Sequence, residues 1–313
     1  MHRIPARMDA VFATPRHRLR TLANAVRLHH WVKNVLVFVP LFTSRDLSNL
    51  PAVGKLLLMA LALSLVASAQ YLLNDLIDLD SDREHPDKRH RALASGDMPI
   101  SVGMSLILCL LLIGGLVGYA ADSWRAVMLL GVYFTSSAWY SAFLKTKPLV
   151  DVFSLAGLYV FRIVIGGFVS NHHATVWLLS FSFMCFLSLG FLKRCMEVAH
   201  AGQTATQRIG RRGYQEGDAP ILMMMGVGSS FASAVVLALY VYSESANKLY
   251  AHPSALWGFV PLCLLLQCWL WLSGMRGNIK EDDPVRWVIS DRLVWAIVGL
   301  SMTVYLLAAG WVS

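Results

Sequence analysis

Charge is what this sequence has least of. Only 15% of its 313 residues are Asp, Glu, Lys or Arg, against 56% hydrophobic residues and a mean hydropathy of +0.54. Soluble domains carry about 25% charged residues, so the composition excludes that class and implies a polytopic membrane protein. Cysteine is scarce too. Cys109, Cys185, Cys195, Cys263 and Cys268 lie in or beside apolar runs without zinc-type spacing, which leaves no metal cluster or disulfide framework and makes them small apolar residues. The first thirty residues hold arginines but no continuous apolar stretch and no small-residue cleavage site. A secretory signal is not expected there; a basic arm over residues 1–26, near anionic headgroups, is. No low-complexity linker sets off a second soluble domain.

What is present is a series of apolar runs near the length that crosses a bilayer, about 20 residues. Eight are clear: Leu56–Leu73, Ser101–Ala121, Val127–Leu144, Leu149–Val169, Ala174–Leu192, Ala219–Tyr242, Ala255–Leu272 and Val294–Trp311. A ninth, Trp31–Phe42, is too short unless it recruits the polar turn before it, with Arg27, His29, His30, Lys33 and Asn34. The expected fold is all-α with nine transmembrane helices. With the N-terminus in the cytoplasm, inside segments carry 21 lysines and arginines and outside segments 4. The positive-inside rule selects that orientation, in the cell (inner) membrane.

The most charged stretch is "QYLLNDLIDLDSDREHPDKRHRALASGD", starting at Gln70. If the helix continues past Leu73, about 100° per residue puts Asp75, Asp78 and Asp82 within roughly 60° of one another. Asn74 lies at the edge of that face and Asp80 opposite it. Three carboxylates on one face repel unless a cation neutralises them, which suits a hard ion such as Mg²⁺. Magnesium completes its shell with substrate phosphate oxygens, so a diphosphate is the expected ligand, with Lys88, Arg89 and Arg91 to meet its remaining charge. The plainer reading is a solvated helix end whose acids pair with Arg83, Lys88, Arg89 and Arg91.

Other polar groups sit at span ends. "WYSAFLKTKPLVD" closes the fourth span, with Tyr140 near its end and Lys145 and Lys147 just beyond it, a pattern that interfacial anchors share. Arg162, well inside the fifth, needs either a polar cavity or a structural partner such as Asp151. Setting "LNDLID" (73–78) over "LKRCME" (192–197) aligns Asn74 with Lys193, Asp75 with Arg194 and Asp78 with Glu197, a short hint of an internal repeat.

These motifs carry a resemblance. "NDLIDLDSDR" resembles the N-D-x-x-D-x-x-x-D-R signature of the UbiA superfamily of membrane prenyltransferases, and "YSAFLK" is similar to its tyrosine-lysine motif. The resemblance implies a helical bundle over residues 27–313, around a central cavity open to cytoplasm and lipid, with Asn74, Asp75, Asp78 and Asp82 as the first motif. The second motif departs from the pattern. Where typical members carry paired aspartates after the sixth span, this chain reads "FLKRCMEV", so a basic phosphate pocket is more natural there than a second metal.

"RLHHWVKNVLVF", "HPDKRHRALASG", "KRCMEV" and "EDDPVRWVISDR" resemble segments of one branch, the polyprenyl-phosphate phosphoribosyltransferases. That resemblance implies transfer of 5-phosphoribosyl from phosphoribosyl diphosphate to a polyprenyl monophosphate, dependent on Mg²⁺ and without nucleic acid. Asp75, Asp78 and Asp82 would hold the metal, and Lys145 with Arg89 or Arg91 would face the diphosphate. Lys193, Arg194 and Arg162 would meet a monophosphate, Lys33 and Asn34 either substrate, and Tyr140, Glu197 and Tyr214 the ribose hydroxyls. Two alternatives are an aromatic prenyltransferase using a polyprenyl diphosphate, which the missing second acidic motif disfavours, and a transporter. A transporter should carry polar residues through both halves of the membrane, whereas here they gather on one side.

Overall fold

A computed structural model describes residues 15–84, 88–201, 213–279 and 284–310; all regular structure among them is helical. Among the described residues, seven helices are long and apolar enough to cross a membrane. The chain divides into two compact units, the first built from residues up to Leu144 with Phe161–His173, the second from Lys145–Val160 with the rest.

The first unit begins with helix α1 (Pro15–Val26), the later half of the expected basic arm. Leu22, Ala25 and Val26 of α1 pack with Ala69 and Leu72. Arg27 then takes a left-handed conformation (φ 54°) and turns the chain into a 3₁₀ helix, Leu28–Phe38, continued by α2 (Val39–Thr43). The expected first span is therefore not a continuous α-helix. Ser68 fixes this entry: its hydroxyl donates to the Val26 carbonyl (2.8 Å) and accepts from Trp31 Nε1 (3.1 Å).

Helix α3 (Leu50–Ile77) is capped by Asn49, whose side chain accepts from the Ala52 N–H, and ends at Asp78. After that one-residue break α4 (Leu79–Glu84) follows, and the Asp82 N–H donates to the Asp78 carbonyl at 2.8 Å. Helix α5 (Ile100–Ala142) has 43 residues. At about 1.5 Å per residue that is roughly twice the hydrocarbon thickness, and it is interrupted at Asp122 and Ser123 (φ 59°). The third and fourth expected spans are thus two arms joined at a kink, where Lys55 meets Asp122 at 3.2 Å. Gly114 and Gly118, one turn apart, let α5 approach α3: a Cβ on Gly114 would lie 3.0 Å from Val66 and 3.3 Å from the Ala62 carbonyl. Leu108, Leu112 and Leu116 are exposed on α5, an apolar stripe suited to lipid.

Helix α6 (Val150–Ser170) contributes to both units. In the first, Gly166 meets the 3₁₀ segment so closely that a Cβ would lie within 3 Å of the Val37 backbone. The second unit holds α7 (Val176–Ala201), α8 (Ala219–Tyr242), α9 (Glu244–Leu249), α10 (Phe259–Met275), α11 (Pro284–Ser290) and α12 (Arg292–Ala309). Its core includes Val152, Leu187, Phe191, Leu192, Leu222 and Trp271. Helix α7 runs nine residues beyond the expected end of its span at Leu192, so Lys193, Arg194 and Glu197 lie on helix rather than loop. No Gly or Pro occurs between Leu192 and Gly202.

Candidate functional site

The end of α3 carries the first charge cluster. Asp75 and Asp82 are buried, at 5% and 3% exposure, whereas the Asp80 side chain is 98% exposed. Rotation along a near-continuous helix accounts for this, since the break at Asp78 preserves the turn. Asn74 and Asp78 are half-buried on the same helix end.

Two arginines close the cluster. Arg27 Nη2 donates to both Asp75 oxygens, at 2.6 and 2.8 Å. Arg91 Nη1 bridges Asp75 (3.1 Å) and Asp82 (2.7 Å). Arg91 gets there because its loop is pinned: Leu93 and Met98 are buried with Ala69, Leu72 and Ile107. The loop positions differ among themselves, with Arg89 exposed and donating to His90, and Lys88 half-buried on the short 3₁₀ turn Lys88–His90. Arg27, absent from the sequence-based site, is the larger surprise. Its partner lies 48 residues away, and its only local signal was a charge beside an apolar run.

Asp75 and Asp82 converge on a single cationic nitrogen, now Arg91 Nη1. Two convergent carboxylates match the one or two that Mg²⁺ usually takes from protein, although among the described residues no three His, Cys, Asp or Glu side chains come together where they could hold a metal ion. A cavity of about 100 Å³ adjoins the cluster, lined by Thr21, Asn24, Arg27, Asp75, His90 and Arg91 among others.

The second unit has its own cluster. Arg194, 1% exposed, donates from Nε to Asp151 Oδ2 and from Nη1 to Glu197 Oε2, each at 2.5 Å. Tyr214 donates to the other Asp151 oxygen at 2.5 Å and accepts from the Leu149 N–H at 2.9 Å. Burial, together with the bond to Asp151, pushes the Tyr214 phenol above the usual tyrosine range. The guanidinium expected to greet a phosphate is thus neutralised by two acids of its own unit. Lys193, one residue earlier, is half-buried, as is Lys145 on the turn Leu144–Thr146.

Arg162 follows neither expected course in full. Asp151, proposed as its partner, pairs with Arg194. Arg162 instead donates to Asn34 Oδ1 (3.1 Å) and to the Tyr133 hydroxyl (2.5 Å), while Asn34 donates to Ser64 (2.8 Å). Asn34 is 2% exposed, so its amide serves this buried network and not a cavity mouth. Lys33 beside it and Tyr140 near the end of α5 are half-buried. Residues 281–283, the "EDD" of that closing segment, and residues 85–87 lie outside the described residues.

The profile of the UbiA prenyltransferase family matches residues 37–297. The chain belongs to the UbiA prenyltransferase family. Among its relatives, the y4nM protein of Sinorhizobium fredii is 35% identical over 93% of this chain, which spans 56% of that protein's length. Nodulation protein NoeC of Azorhizobium caulinodans is 30% identical, covering 90% of this chain and 91% of that one. The decaprenyl-phosphate phosphoribosyltransferase of Corynebacterium glutamicum is 27% identical, covering 94% and 89%. A UbiA homolog from Archaeoglobus fulgidus, bound to DMAPP and Mg²⁺, shares the fold with a TM-score of 0.63 at 12% identity, over 91% of this chain and 98% of that one. This UbiA chain is accordingly a multi-pass membrane protein of a transferase family.

Proposed function

We propose that this UbiA protein transfers the 5-phosphoribosyl group of phosphoribosyl diphosphate to a polyprenyl monophosphate, releasing diphosphate. The observation that carries the reading is the end of α7. Lys193 and Arg194 stand there in place of paired aspartates, and both acids at hand, Asp151 and Glu197, are committed to Arg194. Among the described residues that leaves one acidic face, on α3 and α4, where a two-motif prenyltransferase needs two. The likeness to the Corynebacterium glutamicum enzyme supports the same choice.

Asp75 and Asp82, with Asp78 on the intervening turn, would hold Mg²⁺; when bound, the ion neutralises charge on the leaving diphosphate. Asn74 and Arg91 stand beside it for the donor. The bond from ribose C1 to the diphosphate oxygen breaks with its electron pair leaving on oxygen, and a lipid phosphate oxygen forms the new bond to C1. That nucleophile is already an anion, so no general base is needed, and the protein contributes positioning and electrostatic stabilisation. In the second unit Lys145 and Lys193 are the candidates for a substrate phosphate, and Tyr214 is held by Asp151. Within the first unit Arg162 and Asn34 act as a buried brace.

The catalytic domain is residues 27–313, preceded by a basic arm, with the aspartate face in the cytoplasm. Residues 28–43 complete a ninth crossing: eleven residues at about 2.0 Å in the 3₁₀ segment and five at about 1.5 Å reach roughly 30 Å. The test is a membrane assay with labelled phosphoribosyl diphosphate and decaprenyl phosphate, with and without Mg²⁺. Label entering the lipid phase only with Mg²⁺ is the expected result. Reaction of a prenyl diphosphate with an aromatic acid, and none of the phosphoribosyl donor, would overturn it.

A further inference from the structure

The second unit holds a pair of thiols that the proposed transfer does not use. Cys185 of α7 and Cys263 of α10 are half-buried, and each lies in a helix long and apolar enough to cross a membrane. Spacing along the chain hides the pair, which forms where α7 and α10 pack and Trp271 Nε1 donates to the Ser188 hydroxyl at 2.9 Å. Gln267, one turn after Cys263 and 6% exposed, joins the two sulfurs. Its Nε2 stands 3.4 Å from Cys263 Sγ and 3.8 Å from Cys185 Sγ. The same nitrogen donates to the Ser233 hydroxyl at 2.6 Å, beside the Ser230 carbonyl at 3.4 Å. One N–H thus goes to Ser233, and the other is left for the sulfurs. An N–H aimed at sulfur stabilises negative charge that builds there during attack, and the shorter contact gives Cys263 the larger share. Gln267 Oε1 is buried without a hydrogen-bond partner among the described residues, so the amide keeps an acceptor for a polar group formed at sulfur. The remaining cysteines sit differently: Cys195 Sγ faces the Ala219 carbonyl (3.5 Å) and Met275 Sδ (3.7 Å), and Cys109 and Cys268 are exposed.

We propose that Cys185 and Cys263 are a modification site, oxidised by lipid hydroperoxides to a disulfide that joins α7 to α10. Both thiols lie in apolar helices, so the oxidant must dissolve in lipid, and a fatty-acyl hydroperoxide is of that class. The Cys263 sulfur attacks the distal peroxide oxygen. The O–O bond breaks with its electron pair on the acyl oxygen, which takes the thiol proton and departs as the alcohol. Cys263 is then a sulfenic acid. The Cys185 sulfur attacks the Cys263 sulfur, the S–O bond breaks, and the hydroxyl leaves as water with the Cys185 proton. Two thiols and one hydroperoxide thus give one disulfide, one alcohol and one water. The bridge ties α7 to α10 about two turns before Lys193, roughly 12 Å along the helix at 1.5 Å per residue.

The test uses the full chain in detergent, with cumene hydroperoxide as the probe and maleimide labelling of thiols read by intact mass. Cys185 and Cys263 should become protected from the label, and phosphine reduction should return them. Peptide mapping should find the two joined. In Cys185→Ala the reaction should stop at a sulfenic acid on Cys263, trapped by dimedone. In Cys263→Ala, dimedone should trap Cys185 about tenfold more slowly than it traps Cys263 in the other variant, and Gln267→Leu should slow protection by a similar factor, the worth of a hydrogen bond to a charged group. The two cysteine variants carry the test if the leucine variant fails to fold. Absence of a protected pair, a bridge through Cys109, Cys195 or Cys268 instead, or trapping of Cys185 as fast as Cys263 overturns the proposal. These readouts involve no phosphoribosyl donor, so the thiol pair and the substrate reading stand or fall separately.

Discussion

Replacing Asp151 with Asn should unfold the second unit well before anything else is disturbed. Asp151 is fully buried, and its two oxygens serve Arg194 and Tyr214 at 2.5 Å each. The substitution keeps the volume but removes the charge facing a guanidinium that is itself 1% exposed. Breaking a buried pair in this way costs about 3–5 kcal/mol, and Glu197 remains to hold the other side of Arg194, so the lower end applies. At roughly 2–4 °C per kcal/mol for domains of 150–250 residues, the thermal midpoint should fall by about 6–12 °C. Size-exclusion of heated, detergent-purified protein at one heating rate reads this. The double variant Asp151→Leu with Arg194→Met should recover most of the loss, because an apolar pair of similar volume is often as stable as the buried ion pair. A wild-type midpoint in Asp151→Asn, or a double variant worse than both single ones together, would refute the account of Arg194 as a structural cation.

Asp75→Asn and Asp82→Asn should each lower transfer at least a hundredfold with folded protein retained, checked by labelled-donor assay beside size-exclusion; turnover near wild type would remove them from the metal face. Asp80→Asn, at a carboxylate pointing to solvent, should leave the rate within about twofold. Gly166→Ala forces a methyl against the Val37 backbone, and should cost at least the ~1–3 kcal/mol of core overpacking, seen as a lower midpoint. The phenol of Tyr214 ionises above the ordinary tyrosine value of about 10. Its folded pKa is raised, so its contribution is complete below pH 10 and is lost as pH rises through the folded value. The midpoint difference between wild type and Tyr214→Phe should hold from pH 7 to 9 and shrink above 10; a constant difference to pH 12 would contradict the buried hydrogen bond.

Much of the architecture was legible because lipid solvation forces long apolar runs, and runs are visible in a linear text. Helices 50–77, 150–170, 219–242 and 292–309 fall where hydropathy puts them. The exposed Asp80 and buried Asp75 and Asp82 were legible for a second reason, the rotation of a helix that barely breaks at Asp78. What hydropathy misreads are the helix ends. Charged residues after Leu192 look like a loop, yet an unbroken run of helix formers and the Arg194 to Glu197 pair carry α7 on to Ala201. The 3₁₀ segment 28–38 was equally hidden, since its conformation depends on contacts from Ser64, Ser68 and Gly166, none of them local.

Pairing of charges was the least legible feature, and it changes what the charges can do. A sequence displays Lys193 and Arg194 as a basic motif and the aspartates as an acidic one. Burial requires each to find counter-charges, and those come from 43 and 48 residues away, Asp151 for Arg194 and Arg27 for Asp75. The two clusters differ in how firmly they are closed. Asp151 and Arg194 are both essentially inaccessible and are tied to Tyr214 and Glu197, so opening that pair means disrupting a core. The Arg27 and Arg91 side chains keep 18% and 26% exposure and border a cavity. Opening a pair therefore disrupts less at the aspartate face than at the basic one. The acidic cluster is where chemistry can enter, and the basic-looking motif on α7 chiefly supplies the framework that fixes Lys193 and the Tyr214 segment.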